Sequence, residues 1–231
     1  GYDTIRYDRS GVGDFAVVDL AAGTASGVLD GIAFTDTLVS IEGVRGSKTG
    51  DDTISGTSGD NALDGKGGDD ILLGRGGNDT LVGGSGADTF VYTSTGDALV
   101  GGYETITDFS VTDGDIIRLE GLLKGTFSYL DVLETGVNEF TGDGNTEAIM
   151  DQSGFTSVLL IDTDGDGTAD MSIVMPGVDG STLTAANFVL TDLIVNTFDT
   201  DVGTGDWLTD ANWSLTFAPL TNHKAVLIGA G

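Results

Sequence analysis

Between Ser47 and Val91 the chain repeats every nine residues. Five units follow one another without a gap: SKTGDDTIS, GTSGDNALD, GKGGDDILL, GRGGNDTLV and GGSGADTFV. Their fourth place is always glycine (Gly50, Gly59, Gly68, Gly77, Gly86), and the sixth is Asp52, Asn61, Asp70, Asp79 or Asp88. The eighth is large and apolar: Ile54, Leu63, Leu72, Leu81 or Phe90. A sixth unit, YTSTGDALV, keeps Asp97 and Leu99 but loses the glycines, as an end cap would. The glycine half must bend sharply and expose carbonyl oxygens, through backbone conformations that glycine adopts cheaply. The other half reads as a three-residue strand with one apolar side chain pointing inward. Two units then make a coil of about 18 residues, and parallel strands of successive coils stack ~4.8 Å apart. A single coil buries too little to stand alone, so neighbours must hold one another.

This stacking lines up the sixth-place side chains along two outer edges, Asp52, Asp70 and Asp88 on one, Asn61, Asp79 and Asp97 on the other. Carboxylates ~5 Å apart repel unless a cation sits between them. The alternative is a solvated ladder of acidic turns that holds no ion. Composition narrows the choice of ion. With no cysteine and one histidine, His223, the ligands are carboxylates and carbonyls, which select a hard cation; calcium tolerates such geometry better than magnesium. The same counts remove disulfides, zinc–thiolate centres and cysteine nucleophiles, and leave almost no scope for a serine triad. Against 37 acidic residues stand nine basic ones, a net charge of −28, so nucleic acid is excluded as a partner. No apolar run reaches the ~18–20 residues of a membrane span.

The repeats resemble the RTX (haemolysin-type) calcium-binding β-roll, an all-β, right-handed parallel roll. That resemblance implies an ion between loops two units apart, held by carbonyls and by the Asp of each loop. Carried over, one ion uses Lys48, Gly50, Asp52, Gly65, Gly67 and Asp70. A second uses Thr57, Gly59, Asn61, Gly74, Gly76 and Asp79, and a third Lys66, Gly68, Asp70, Gly83, Ser85 and Asp88. A fourth uses Arg75, Gly77, Asp79, Tyr92, Ser94 and Asp97, in a loop that lacks glycine. The expected cofactor is therefore calcium, three to four ions in the roll and one or two beyond it.

Both flanks extend the resemblance. Upstream, YDTIRYDRSGVGDFAVVDLAAGTASG and DTLVSIEGVRGS look like lead-in coils, with β-rich pieces at Tyr2–Tyr7, Phe15–Leu20 and Thr37–Val44. Downstream, ETITDFSVTDGDIIRLEGL, DTDGDGTADMSIVM and LTAANFVL are similar to the C-terminal domain of serralysin-type metalloproteases, and in part to R-modules of mannuronan C5-epimerases. The implied organisation is lead-in coils over 1–46, the repeat roll over 47–100, a serralysin-like β cap over 101–191 and the start of a further β module over 192–231. Within the cap, Asp162, Asp164, Asp166 and Asp170 match the start of an EF-hand loop, but Ile173 stands where the bidentate Glu would be. Val158–Ile161 and Met171–Val174 read as a hairpin around that loop, either an accessory calcium site or an acidic turn. Asp108 is a further candidate ligand. Trp207 and Trp213 in the tail suit packing, or less readily sugar stacking.

Because such a site exists only in the folded chain, binding free energy becomes folding free energy. This points to a switch that stays unfolded inside the cell, leaves through a type I secretion channel and folds outside, as a non-enzymatic part of a larger secreted or surface protein. Two other readings stay open. One is a polysaccharide-binding module of an epimerase, hinted at by Arg45, Lys48 and Lys66 on one edge, though these residues more readily offset neighbouring Asp charge. The other is the secretion domain of a serralysin-like protease. Neighbouring copies on a cell surface are possible partners.

Overall fold

In the computed structural model, which describes residues 1–9, 14–133 and 139–191, each triplet around an eighth-place residue is a strand. Two sheets face each other. The chain enters with β1 (Thr4–Arg6) in the first sheet and β2 (Phe15–Asp19) in the second, where a hairpin of β3 (Thr24–Leu29) and β4 (Ile32–Thr37) follows. It then alternates. The first sheet receives β5 (Gly43–Arg45), β7 (Ala62–Gly67), β9 (Thr80–Ser85) and β11 (Thr105–Ile106). The second receives β6 (Thr53–Ser55), β8 (Ile71–Leu73), β10 (Thr89–Tyr92) and β12 (Ile116–Glu120). Next, β13 (Phe127–Val132), β14 (Thr146–Asp151) and β15 (Val158–Asp162) extend the first sheet. Finally β16 (Met171–Val174) pairs in parallel with β11, and β17 (Phe188–Thr191) with β12, closing a last coil. The result is an all-β parallel roll whose coils run on past the repeats at both ends.

Register follows the period: Thr53 pairs with Ile71 and Ala62 with Thr80. One apolar side chain per half-coil fills the space between the sheets, and Ile54, Leu63, Leu72, Leu81 and Phe90 are each 1% exposed or less. The ends are sealed differently. At the first coil, β4 brings Phe34 to stack on Tyr7 at 5.0 Å, while the Tyr7 hydroxyl donates to Asp36. The piece expected at Thr37–Val44 is not one strand: β4 ends at Thr37, Leu38 is buried, and β5 starts at Gly43.

The sixth unit departs from its expected role. Leu99 does not enter the core; it is 62% exposed. Its place is taken by Ile106 of β11, which is fully buried. The hairpin around the acidic loop is present, β15 running antiparallel to β16. Contacts divide the chain into Gly1–Asp192 and Leu193–Gly231. The tail expected to open a further β module, with Trp207, Trp213 and His223, lies outside the described residues.

Candidate metal centre

The sixth-place residues lie immediately before the strands of the roll, and each closes a turn between the sheets. On one edge the Asp52 amide donates to Asp70 Oδ1 at 2.7 Å, the Asp70 amide to Asp88 Oδ1 at 2.9 Å, and the Asp88 amide to Asp115 Oδ1 at 2.9 Å. On the other, the Asn61 amide donates to Asp79 Oδ1 at 2.8 Å and the Asp79 amide to Glu104 Oε2 at 2.9 Å. Each carboxylate thus anchors the preceding coil. Asp52, Asp70, Asp79, Asp88 and Glu104 are all at most 1% exposed.

One oxygen of each inner Asp remains. Oδ2 of Asp70, Asp79 and Asp88 is buried without a hydrogen-bond partner, among few such atoms in the described residues. These oxygens lie so close to Gly65, Gly74 and Gly83 that a Cβ there would collide with them. A buried carboxylate oxygen left bare is costly. Burial is the first cause that pushes Asp70 up to about 8, Asp79 to about 7 and Asp88 to about 6; the neighbouring carboxylates push in the same direction. Bare oxygens facing glycine backbone, in a set containing oxygen ligands only, fit a hard cation.

The outer residues of the ladders are finished differently. The second oxygen of Asp52 accepts the Ser47 amide, and that of Asp115 the Ser110 amide. Asn61 Oδ1 accepts the Thr57 amide, and its Nδ2 donates to the Glu42 carbonyl at 3.1 Å. Asp97 Oδ2 accepts the amides of Thr93 and Ser94.

The loops expected to share the first three ions do come together. A Cβ on Gly68 would stand 2.5 Å from the Gly50 carbonyl, and one on Gly77 2.7 Å from the Gly59 carbonyl carbon. Lys66 pairs with Gly84 and Gly67 with Ser85. In the first loop one residue is added: Gly46, not Ser47, faces Asp52 as Gly65 faces Asp70. The fourth set is not assembled as expected. Glu104, not Asp97, continues the ladder above Asp79.

Sequence reasoning missed Glu104 and Asp115. Their signal was available, since ETI and DII repeat the acid–x–apolar order of DTI in the first unit. Asp108 sits across the Gly83 and Gly84 amides, accepting both at 2.9 Å. In the acidic loop, carboxylate oxygens of Asp162, Asp164 and Asp166 come within 4.8 Å of one another. Asp170 is not one of that group; it accepts from the Thr163 amide and hydroxyl. Lys124 places its ammonium on the Asp164 carbonyl.

Stacked coils with buried, bare carboxylate oxygens in glycine turns define a calcium-binding β-roll module of the RTX type. The chain belongs to the family described as Peptidase M10 serralysin C terminal, whose model matches residues 32–190. Domains of this family belong to secreted proteins. Among solved structures the chain is similar to the solution structure of the AlgE6R3 subunit from the Azotobacter vinelandii mannuronan C5-epimerase. Identity is 23% over 78% of this chain and 93% of that one, with a TM-score of 0.28. No curated protein matches the chain. Among the described residues no helix is long and apolar enough to cross a membrane.

Proposed function

We propose that this chain is a non-catalytic module, part of a larger secreted or surface protein, that folds on calcium outside the cell after type I export. The observation that carries the reading is the set of three buried carboxylate oxygens without a partner, on Asp70, Asp79 and Asp88. Each belongs to one ion: Asp70 with the loop of Lys48, Gly50 and Asp52, Asp79 with that of Thr57, Gly59 and Asn61, Asp88 with that of Lys66, Gly68 and Asp70. Three ions are therefore the expected number in the repeats. A fourth would need Asp97 above Asp79, where Glu104 stands instead.

Export follows from the same chemistry. With a charge of −28 the metal-free chain repels itself. Extracellular modules bind calcium in roughly the 10⁻⁴–10⁻³ M range, so the folded form is favoured outside. A polysaccharide role has less support, because Lys66 and Arg45 both reach Asp64, at 2.7 and 3.4 Å. Circular dichroism of the chelated chain tests the reading, titrated with calcium and with magnesium as control. A cooperative coil-to-β transition with calcium alone, and three ions retained on equilibrium dialysis, are expected. A β spectrum already complete in chelator would overturn the switch.

A further inference from the structure

Acidic side chains crowd the turns of the roll, but the outer face of its second sheet is different. Across that face Val17, Thr53, Ile71, Thr89 and Ile116 stand in register on five successive strands. Phe15 and Val17 are 39% and 44% exposed. The outward residues of β3 and β4 add only Thr, Ser, Ala and Val. Four charges reach the face besides, and they form two pairs. Asp19 is held by Arg75 at 2.9 Å, and Arg118 by Glu120 at 2.9 Å. A net-neutral, partly apolar face on a chain of charge −28 is a marked asymmetry. The outer face of the first sheet, by contrast, carries Arg6, Arg45, Asp64 and Lys66.

We propose that this neutral face docks a second copy of the folded chain, sheet against sheet. It specifies the neighbouring-copy partner of the reading above and rests on it only in that the face exists once the coils have formed. Charge argues for a copy as the occupant. A basic partner would be drawn to the acidic turns, whereas an equally acidic copy is repelled by those turns and meets no net charge at this face. Two such faces pack as sheets do, ~10 Å apart. Eight strands at ~4.8 Å give a face about 38 Å long, and short strands keep it roughly 10–17 Å wide. That footprint is at the low end for specific association, so the dimer is weak.

Sedimentation of the full chain in saturating calcium, from ~10 to ~500 µM, tests the proposal. The mass is expected to rise reversibly from monomer towards dimer. Ile71→Glu is expected to stay monomeric with an unchanged calcium-dependent spectrum, while Val82→Glu, on the first sheet, still dimerises. If Ile71→Glu fails to fold, Thr53→Glu, at a half-exposed site, is expected to give the same loss. A wild-type monomer at every concentration would overturn the proposal, and so would a folded face variant that dimerises normally. Association that needs calcium beyond saturation and vanishes in ~0.5 M salt would also overturn it, since ions would then be bridging acidic turns. Spectra of the same samples separate the two readings: a chain already β in chelator that still dimerises sinks the folding switch and leaves the docking face standing.

Discussion

A bare carboxylate oxygen and an amide differ by one donor, and this chain contains both versions of the same place. Asn61 uses its amide to reach the Glu42 carbonyl. Asp70, half a coil further on at the opposite edge, has nothing to reach with. Asp70→Asn is therefore expected to make the chelated chain more structured at neutral pH and to raise the calcium midpoint about tenfold or more. Asp52→Asn should move that midpoint less, because Ser47 already occupies its second oxygen. Equal midpoints for the two variants would contradict the assignment. Backbone shape is as specific. Gly68 has φ +117 and lies against the Gly50 carbonyl, so Gly68→Ala should cost about 2–4 kcal/mol in urea unfolding with calcium present. The fourth-place glycine was legible from the repeat. The equally left-handed second place was not, since Lys66 and Arg75 sit there with φ +81 and +67. A side chain tolerates that region at ~1–2 kcal/mol, and Arg75's bonds to Asp19 and Gly56 offset the strain.

At the scale of elements, what decides whether a strand joins the roll is the residue behind it. Glu104 and Asp115 lie just before β11 and β12, as Asp79 and Asp88 lie before β9 and β10. The ladder steps to them are 25 and 27 residues, not 18. Counting in nines therefore landed on Asp97 and Leu99. The loops absorb the extra residues because a turn between sheets has no register of its own, whereas a strand must present one apolar side chain inward. Ile106→Ala is accordingly expected to cost about 2–4 kcal/mol by denaturant unfolding in calcium, and Leu99→Ala less than ~0.5 kcal/mol. Comparable losses would mean the sixth unit does reach the core. The hairpin of β15 and β16 was readable because short apolar runs, Val158–Ile161 and Met171–Val174, flank its acidic turn. The hairpin of β3 and β4 was not, because β4 is exposed on both faces apart from Phe34 and so gives no alternation.

For the whole molecule, the buried carboxyls set an unusual response to pH. Glu104 and Asp70 are pushed up to about 8, Asp79 to about 7, and Asp52 and Asp88 to about 6, with burial the first cause at each. Unfolded carboxyls titrate near ~4, so the folded metal-free chain binds more protons across that interval. The stabilisation is complete below about pH 4 and is lost as pH rises through the folded values. Chelated protein should thus show more β structure by circular dichroism at pH ~5 than at ~8, and a reversed order would refute this. Calcium inverts the trend, because an ion needs the ionised form.

The last coil has a consequence for the time course of folding. Coils within the repeats join residues 18 apart, but β16 reaches β11 through Thr105 and Val174, and β17 reaches β12 through Ile117 and Phe188, each across four intervening strands. Contacts of short sequence separation form quickly, whereas a long loop must first lose its closure entropy. After a calcium jump the repeats should zip up in a fast phase set by ion concentration. The closing coil should follow in a slower, concentration-independent phase, visible in stopped-flow ellipticity as a second exponential. A β-roll that gains its core before it seals its far end spends that interval with Ile117 and Leu119 uncovered along one edge, the stretch of chain most open to mispairing.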